Sequence, residues 1–144
     1  MALFDRYLIV DWSARNELSS KTPSADALWL CEARRDGVTI SCGEPEYFRG
    51  RSELMAYLKR RLTDALDAKE RVFAGFDFAF GYPTGTAAKL AGGDQWKDLW
   101  AHISTVIEDD EQNRSNRFAV ADGWNKTVFA GKGPFWGHPP SQTF

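Results

Sequence analysis

Cysteine is scarce in this 144-residue chain, with Cys31 and Cys42 as its two examples. Two are too few for a disulfide scaffold and lie too far apart in sequence for a metal knuckle. Long apolar runs are missing as well. None approaches the roughly 20 residues that a membrane-spanning helix needs. The opening Met1-Ala2-Leu3-Phe4-Asp5-Arg6 lacks the basic and then apolar pattern of a secretory signal, so the expected address is the cytoplasm. Neither sign of charge dominates: 18 Lys and Arg stand against 20 Asp and Glu, a net of −2. That balance argues against a protein whose main task is coating nucleic acid, although a local basic face depends on distribution. His102 and His138 have no companion at ligand spacing, which disfavours zinc. Ser13 has no Gly-x-Ser-x-Gly elbow, which disfavours a serine hydrolase. Gly81, Gly85, Gly92 and Gly93 match neither the phosphate loop nor the dinucleotide fingerprint. There are no internal repeats and no low-complexity tract.

What remains is an ordinary globular composition, 43% apolar and 26% charged, of a length that suits one domain over 1–144. Aromatics reach 14%, and many fall in the second half, so that half should be packed. Tyr7-Leu8-Ile9-Val10 is a continuous apolar run, the signature of a strand buried on both faces, and it ends at Asp11. Asn16 to Asp26 reads as an exposed loop. Ala27 to Arg34 and Val38 to Cys42 form the arms of a hairpin turned at Asp36-Gly37. That turn pairs Arg35 with Val38 and sets Cys31 opposite Cys42, a hydrogen-bonded pairing unsuited to a disulfide. Buried reduced thiols are expected. The predicted inward face is Trp29, Cys31, Ala33, Val38, Ile40 and Cys42, while Glu32, Arg34, Thr39 and Ser41 face outward and Leu28 and Leu30 imply some cover there.

A helix capped by Ser52 follows, with Leu54, Met55, Leu58, Leu62, Ala65 and Leu66 at helical spacing and Lys59, Arg60, Asp64 and Asp67 opposite. Lys59-Arg60-Arg61 is read as a solvated helix face. Val72 to Phe78 is a second buried-type strand that carries Asp77, and Gly81-Tyr82-Pro83 breaks it. Asp94 can cap another helix with Trp96, Leu99, Trp100, Ile103, Val106 and Ile107 as its stripe. The acidic run Glu108 to Glu111 opposes the macrodipole at a helix C-terminus, so a break is expected there, then a short helix around 116–122. The tail from Gly131 reads as irregular. Its finish at Phe144 suggests a fragment of a longer protein. An incomplete sheet would expose an edge strand able to pair with another copy, so a homo-oligomer is one expectation.

The fold class expected from this order is α/β: a three-stranded antiparallel meander, a crossover helix, and a fourth strand parallel to the first. Both parallel strands then end on one edge of the sheet, where open α/β sheets place their sites. Asp11 and Asp77 would meet there. Each acid alone is explained by a turn, Asp11 capping the next one and Asp77 leading into Gly81. Together they form a pair that can hold Mg²⁺ or Mn²⁺ with water and phosphate oxygens, a constellation for phosphodiester hydrolysis. Asn113, Arg114, Asn116 and Arg117 form a polar cluster that could grip a phosphate or begin a solvated helix balancing the acidic run. Trp124, Phe129, Phe135 and Trp136 could stack bases, with packing the commoner use.

Ile9-Val10-Asp11-Trp12-Ser13-Ala14 and Ala74-Gly75-Phe76-Asp77-Phe78-Ala79-Phe80-Gly81-Tyr82-Pro83 resemble the two leading motifs of a bacterial family of uncharacterised, predicted RNase H-like nucleases, a domain of unknown function. Asn113-Arg114-Ser115-Asn116-Arg117-Phe118 and Gly133-Pro134-Phe135-Trp136-Gly137 are similar to later segments of that group. The resemblance implies a ribonuclease-H-like mixed sheet, with Asp11 and Asp77 as the first-strand and fourth-strand acids. It also implies substrate contacts from Ser13 and the Asn113 to Arg117 segment, and nucleic acid or another phosphoester as substrate. It transfers fold with more weight than activity. One departure stands out: a fifth strand and a late helix bearing a further carboxylate are not evident before Phe144. Asp109, Asp110, Glu111 and Asp122 qualify for that role by composition alone.

Three functions compete. The first is a divalent-metal-dependent nuclease or phosphodiesterase. The second is a non-catalytic interaction domain on the same fold. The third, an actin-like phosphotransferase in which Asp11 would orient a nucleotide-bound ion, is weakened because Trp12-Ser13 stand where a glycine is wanted.

Overall fold

The structure, a computed structural model, describes residues 3–131, 133 and 135. They fall into two compact units, one built from residues up to Phe78 with Glu111–Asn113, the other from Ala79–Asp110 with the described residues from Arg114 onward.

The first unit runs β1 (Arg6–Asp11), β2 (Leu28–Asp36), β3 (Thr39–Cys42), β4 (Glu46–Phe48), helix α1 (Arg51–Asp67) and β5 (Val72–Phe76). The strands make one mixed open sheet in the order β3-β2-β1-β5, with β4 also on β2. β2 is antiparallel to β1, β3 and β4, and β5 is parallel to β1. The meander and the parallel fourth partner are therefore present. Three-residue β4 is an addition that the sequence pattern does not reveal.

The hairpin register differs from expectation. Asp36 pairs with Thr39 and Arg35 with Ile40, so Gly37-Val38 form the loop. A type I′ turn at Asp36-Gly37 needs positive φ at both residues, whereas a glycine in the first central position lets the other keep negative φ. Gly37 takes that first position with φ 59°. Cys42 consequently faces Ala33, not Cys31. Both thiols are free, and Cys42 is exposed rather than buried.

The inward face of the hairpin agrees with expectation at Ala33, which is buried, and at Arg34, Thr39 and Ser41, which are exposed, but differs elsewhere. Leu28 and Leu30 are fully buried with Leu8, Val10, Phe48, Leu54 and Leu58, while Val38, Ile40 and Cys42 are exposed. The face is set by α1, whose Leu54 and Leu58 cover the even-numbered side of β1 and β2. Each such side chain contributes about 1.5–3 kcal/mol by leaving water. Glu32, expected outside, lies on this side and binds Arg61 at 2.7 Å. Between the β3 and β4 pairings, Gly43, Glu44 and Pro45 oppose only Cys31 and Glu32. That extra residue is a β-bulge, which lets Phe48 turn into the core and accommodates a proline that cannot donate to the ladder.

Helix α1 starts two residues earlier than a Ser52 cap predicts, with Gly50 as N-cap and no capping side chain of its own. Met55 and Leu66, expected on the buried stripe, are exposed. Lys59 and Arg60 are exposed, as a solvated face requires, with Arg60 over the Tyr57 ring, whereas Arg61 is half-buried in its pairing with Glu32.

The second unit holds α2 (Thr86–Ala91), α3 (Trp96–Val106) and α4 (Arg117–Thr127). Helix α3 stops just before the acidic run, as the macrodipole requires. Its N-cap is Gln95 rather than Asp94, and Asp98 accepts the Gln95 N–H at 3.3 Å. Trp124 lies 5.3 Å from Phe135 and stacks on His102, so these rings pack on one another. His138, Trp136 and the rest of the tail beyond 135, for which the sequence predicts an irregular course, lie outside the described residues. No helix among the described residues is long and apolar enough to cross a membrane.

Candidate functional site

The parallel register of β1 and β5 has a constant offset, from Arg6 opposite Val72 to Val10 opposite Phe76. One step before that ladder stand Asp5 and Arg71; one step after it stand Asp11 and Asp77. The two ends differ sharply in electrostatics. At the first, Asp5 accepts the Arg71 backbone N–H and its Nε, each at 3.0 Å, and also binds Arg35. Those Arg71 and Arg35 bonds hold the Asp5 carboxyl far below the usual carboxylate range. At the other end two carboxylates meet with no such cation between them in the ladder.

Asp77 is fixed by the Trp12 backbone N–H, which donates to its Oδ1 at 2.8 Å. Asp11 keeps solvent access, yet its carboxyl is pushed up by partial desolvation first, then by the Asp77 charge and a hydrogen bond with Asp77, then by Asp26. The Asp11 carboxylate thus feels its Asp77 neighbour directly. Trp12 closes one side, its ring 6.2 Å from Phe76 and 5.7 Å from Phe78. Like charges at matched positions on adjacent strands cost stability, and groups so arranged concentrate at functional sites.

Asp26 is the contributor that the sequence reading missed. It sits in a polar loop with no periodic signal, and only the return of β2 alongside β1 brings it near Asp11. Its side chain is 90% exposed and lies 4.0 Å from Arg15. No group of three or more His, Cys, Asp or Glu suited to holding a metal occurs among the described residues. The donor set is therefore two carboxylates. It fits a single hard cation that completes its shell with water and phosphate oxygens, as Mg²⁺ commonly does.

The remaining candidates divide. Ser13 is buried beside this loop; its Oγ donates to the Asp26 carbonyl at 3.5 Å and accepts the Arg15 N–H at 3.3 Å. Asn113 is in the first unit but only 1% exposed. Its Oδ1 accepts the Arg51 N–H at 2.8 Å, its Nδ2 donates to the carbonyls of Glu17 and Arg49, and its own carbonyl accepts Arg51 Nη2 at 2.5 Å. It is the missing cap of α1, held at φ 66°. Arg51 in turn donates to the Arg15 carbonyl at 2.6 Å and, more weakly, to that of Ser13. This pair pins the segment after Asp11 to the start of α1.

Arg114, Asn116 and Arg117 belong to the second unit. Arg114 clasps Asp110 through Nε and its backbone N–H, the acid-balancing reading of the sequence. Asn116 accepts the Glu108 N–H and donates to the Val106 carbonyl, both at 2.9 Å, which joins the end of α3 to the start of α4. The Arg117 guanidinium lies over the Phe118 ring.

No protein-family model, curated protein or solved structure matches this chain.

Proposed function

We propose that the first unit is a ribonuclease-H-like domain that hydrolyses phosphodiesters with the help of a divalent cation, Mg²⁺ or Mn²⁺, held by Asp11 and Asp77. The observation that carries this reading is the contrast between the two ends of the β1–β5 ladder. One end neutralises its acid with arginines; the other keeps two acids together at a cost in stability. A meander followed by a crossover helix and a parallel strand supports the fold assignment, and the strand-end position supports the site.

When bound, the cation would supply Lewis-acid stabilisation of a phosphate oxygen and a more acidic water. The chain's own part is positional. The Trp12 N–H fixes Asp77, the strand register aligns Asp11 with it, and the Trp12, Phe76 and Phe78 rings shield one side from water. In the hydrolysis, water oxygen bonds to phosphorus, the bond to the leaving oxygen breaks, and that oxygen takes up a proton. The substrate class is nucleic acid or a smaller phosphodiester.

The test is a Mn²⁺ titration by calorimetry of the wild type and the Asp11→Asn, Asp77→Asn double variant, both checked for folding by circular dichroism. The reading expects one binding event in the wild type, none in the folded double variant, and Mn²⁺-dependent cleavage of labelled DNA, RNA or bis-p-nitrophenyl phosphate by the wild type alone. Absence of Mn²⁺ binding to the folded wild type would sink it.

A further inference from the structure

The second unit contains a cleft of about 230 Å³ walled by aromatic rings, with one acid at its edge. Phe80, Tyr82, Trp96 and Trp100 line it, Leu99 contributes to the lining, and Asp94 supplies the carboxylate. Three of those rings are unusually open for their size: Trp96 is 73% exposed, Phe80 57% and Tyr82 39%. Exposed rings gathered around one concavity mark a binding surface more often than scattered ones do.

The walls are built by local constraints. Gly81-Tyr82-Pro83 lies between the bend after β5 and the start of α2. Gly92 has φ 71°, and a side chain at Gly93 would run into the Asp98 carboxylate. This tight turn starts α3 at Trp96 and leaves Asp94 just outside the helix. Asp98, not Asp94, closes the helix start, so the Asp94 carboxylate is available to a ligand. Its Oδ1 accepts a bond from Gln95 Nε2 at 2.9 Å, and no ion pair involves it among the described residues.

The chemistry of the lining selects the ligand. None of the lining residues is basic. A phosphate or carboxylate would meet a negative charge and no donor cation. A flat base would want parallel walls, but Tyr82 and Trp100 meet edge to face at 63° with centroids 6.1 Å apart, which leaves no slot between them. Ring faces at steep angles with a carboxylate beside them suit a rounded cation, because each face carries the negative part of the aromatic quadrupole. The size suits a head group rather than a drug-sized molecule. The same unit already shows the interaction internally, with Lys89 Nζ 5.1 Å above the Phe129 ring.

We propose that this cleft binds an organic cation with an alkylated ammonium head, seated against Trp96, Tyr82 and Trp100 and paired with Asp94. The proposal stands apart from the carboxylate pair at the β1–β5 strand ends.

Calorimetric titration of the full chain with choline and with its neutral isostere 3,3-dimethyl-1-butanol tests it. Choline should saturate the wild type, with the isostere about tenfold weaker, since charge on an aromatic cage is worth that order. Asp94→Asn should weaken choline several-fold and leave the isostere unchanged. Trp96→Leu, at an exposed position that should fold normally by circular dichroism, should weaken choline by at least as much. Equal binding of choline and its isostere would overturn the proposal. So would failure of choline to saturate the folded wild type, or adenosine or guanosine binding more tightly than choline in a manner insensitive to Asp94→Asn.

Discussion

Asn113→Ala isolates the clasp at the start of α1, and its cost can be worked from the contacts. Asn113 Oδ1 is the acceptor for the buried Arg51 N–H, the first amide of a helix whose own N-cap is glycine. Losing a cap of this kind costs about 1–2 kcal/mol, with the orphaned N–H included in that figure. The two Nδ2 bonds to carbonyls add less. The Arg49 carbonyl still accepts the Ser19 N–H at 3.0 Å, and Glu17 is exposed enough for water to replace its partner. Backbone conformation adds a separate amount. Asn tolerates the left-handed region better than most residues, whereas Ala pays about 1 kcal/mol for it and Gly almost nothing. Asn113→Ala should therefore lower stability by about 2–3 kcal/mol, a large share of the 5–15 kcal/mol typical of a domain. Asn113→Gly should recover about 1 kcal/mol of that loss. Urea denaturation followed by circular dichroism measures both variants. A loss below about 1 kcal/mol in Asn113→Ala would refute the clasp, since a cap alone is worth that much. An Asn113→Gly protein no more stable than Asn113→Ala would refute the backbone argument.

Two further expectations concern the ends of the β1–β5 ladder. Asp77→Asn retains an Oδ1 acceptor for the Trp12 N–H while removing a charge next to Asp11, so stability at neutral pH should hold or rise by about 0.5 kcal/mol; a clear drop in Tm would make these acids structural instead. Asp5 has the opposite sense. Its folded carboxyl is held below the unfolded value of 3.8, so its stabilisation is complete above that pH and fades as pH falls toward the lowered folded value. Asp5→Asn should therefore destabilise the protein at pH 7 and flatten the acid limb of a stability–pH curve measured by thermal melts, and an unchanged limb would contradict the Arg71 and Arg35 pairing.

How much of this was legible beforehand follows from which signals are local. Tyr7 to Val10 and Val72 to Phe76 announce themselves as strands by unbroken apolarity, and the long amphipathic stretch between them requires a crossover; burial on both faces does not follow, since Ile9, Phe73 and Ala74 are exposed. The parallel pair and the shared edge for Asp11 and Asp77 follow from those facts alone. The halt of α3 before Glu108 is local too, because a helix end repels acids wherever it occurs. Other features depend on residues distant in the chain. Leu28 and Leu30 versus Trp29 and Cys31 offer either face of β2 to the core, and only the packing of Leu54 and Leu58 decides between them. The hairpin register turned on whether Asp36 or Val38 shared the loop with Gly37, two patterns of similar appearance whose difference lies in backbone sign. Asn113 looked like one polar residue in a ligand-binding cluster, yet it caps a helix 62 positions earlier in the chain. Asp26 and the Asp94 cleft carry no periodicity at all. The sequence by itself determined the order of elements and the pairing of two acids at strand ends, because apolar runs and helix stripes encode them over a few residues. The tertiary structure decided the buried face, the register, the cap and the cleft, because each is a contact between segments that one-dimensional spacing does not relate.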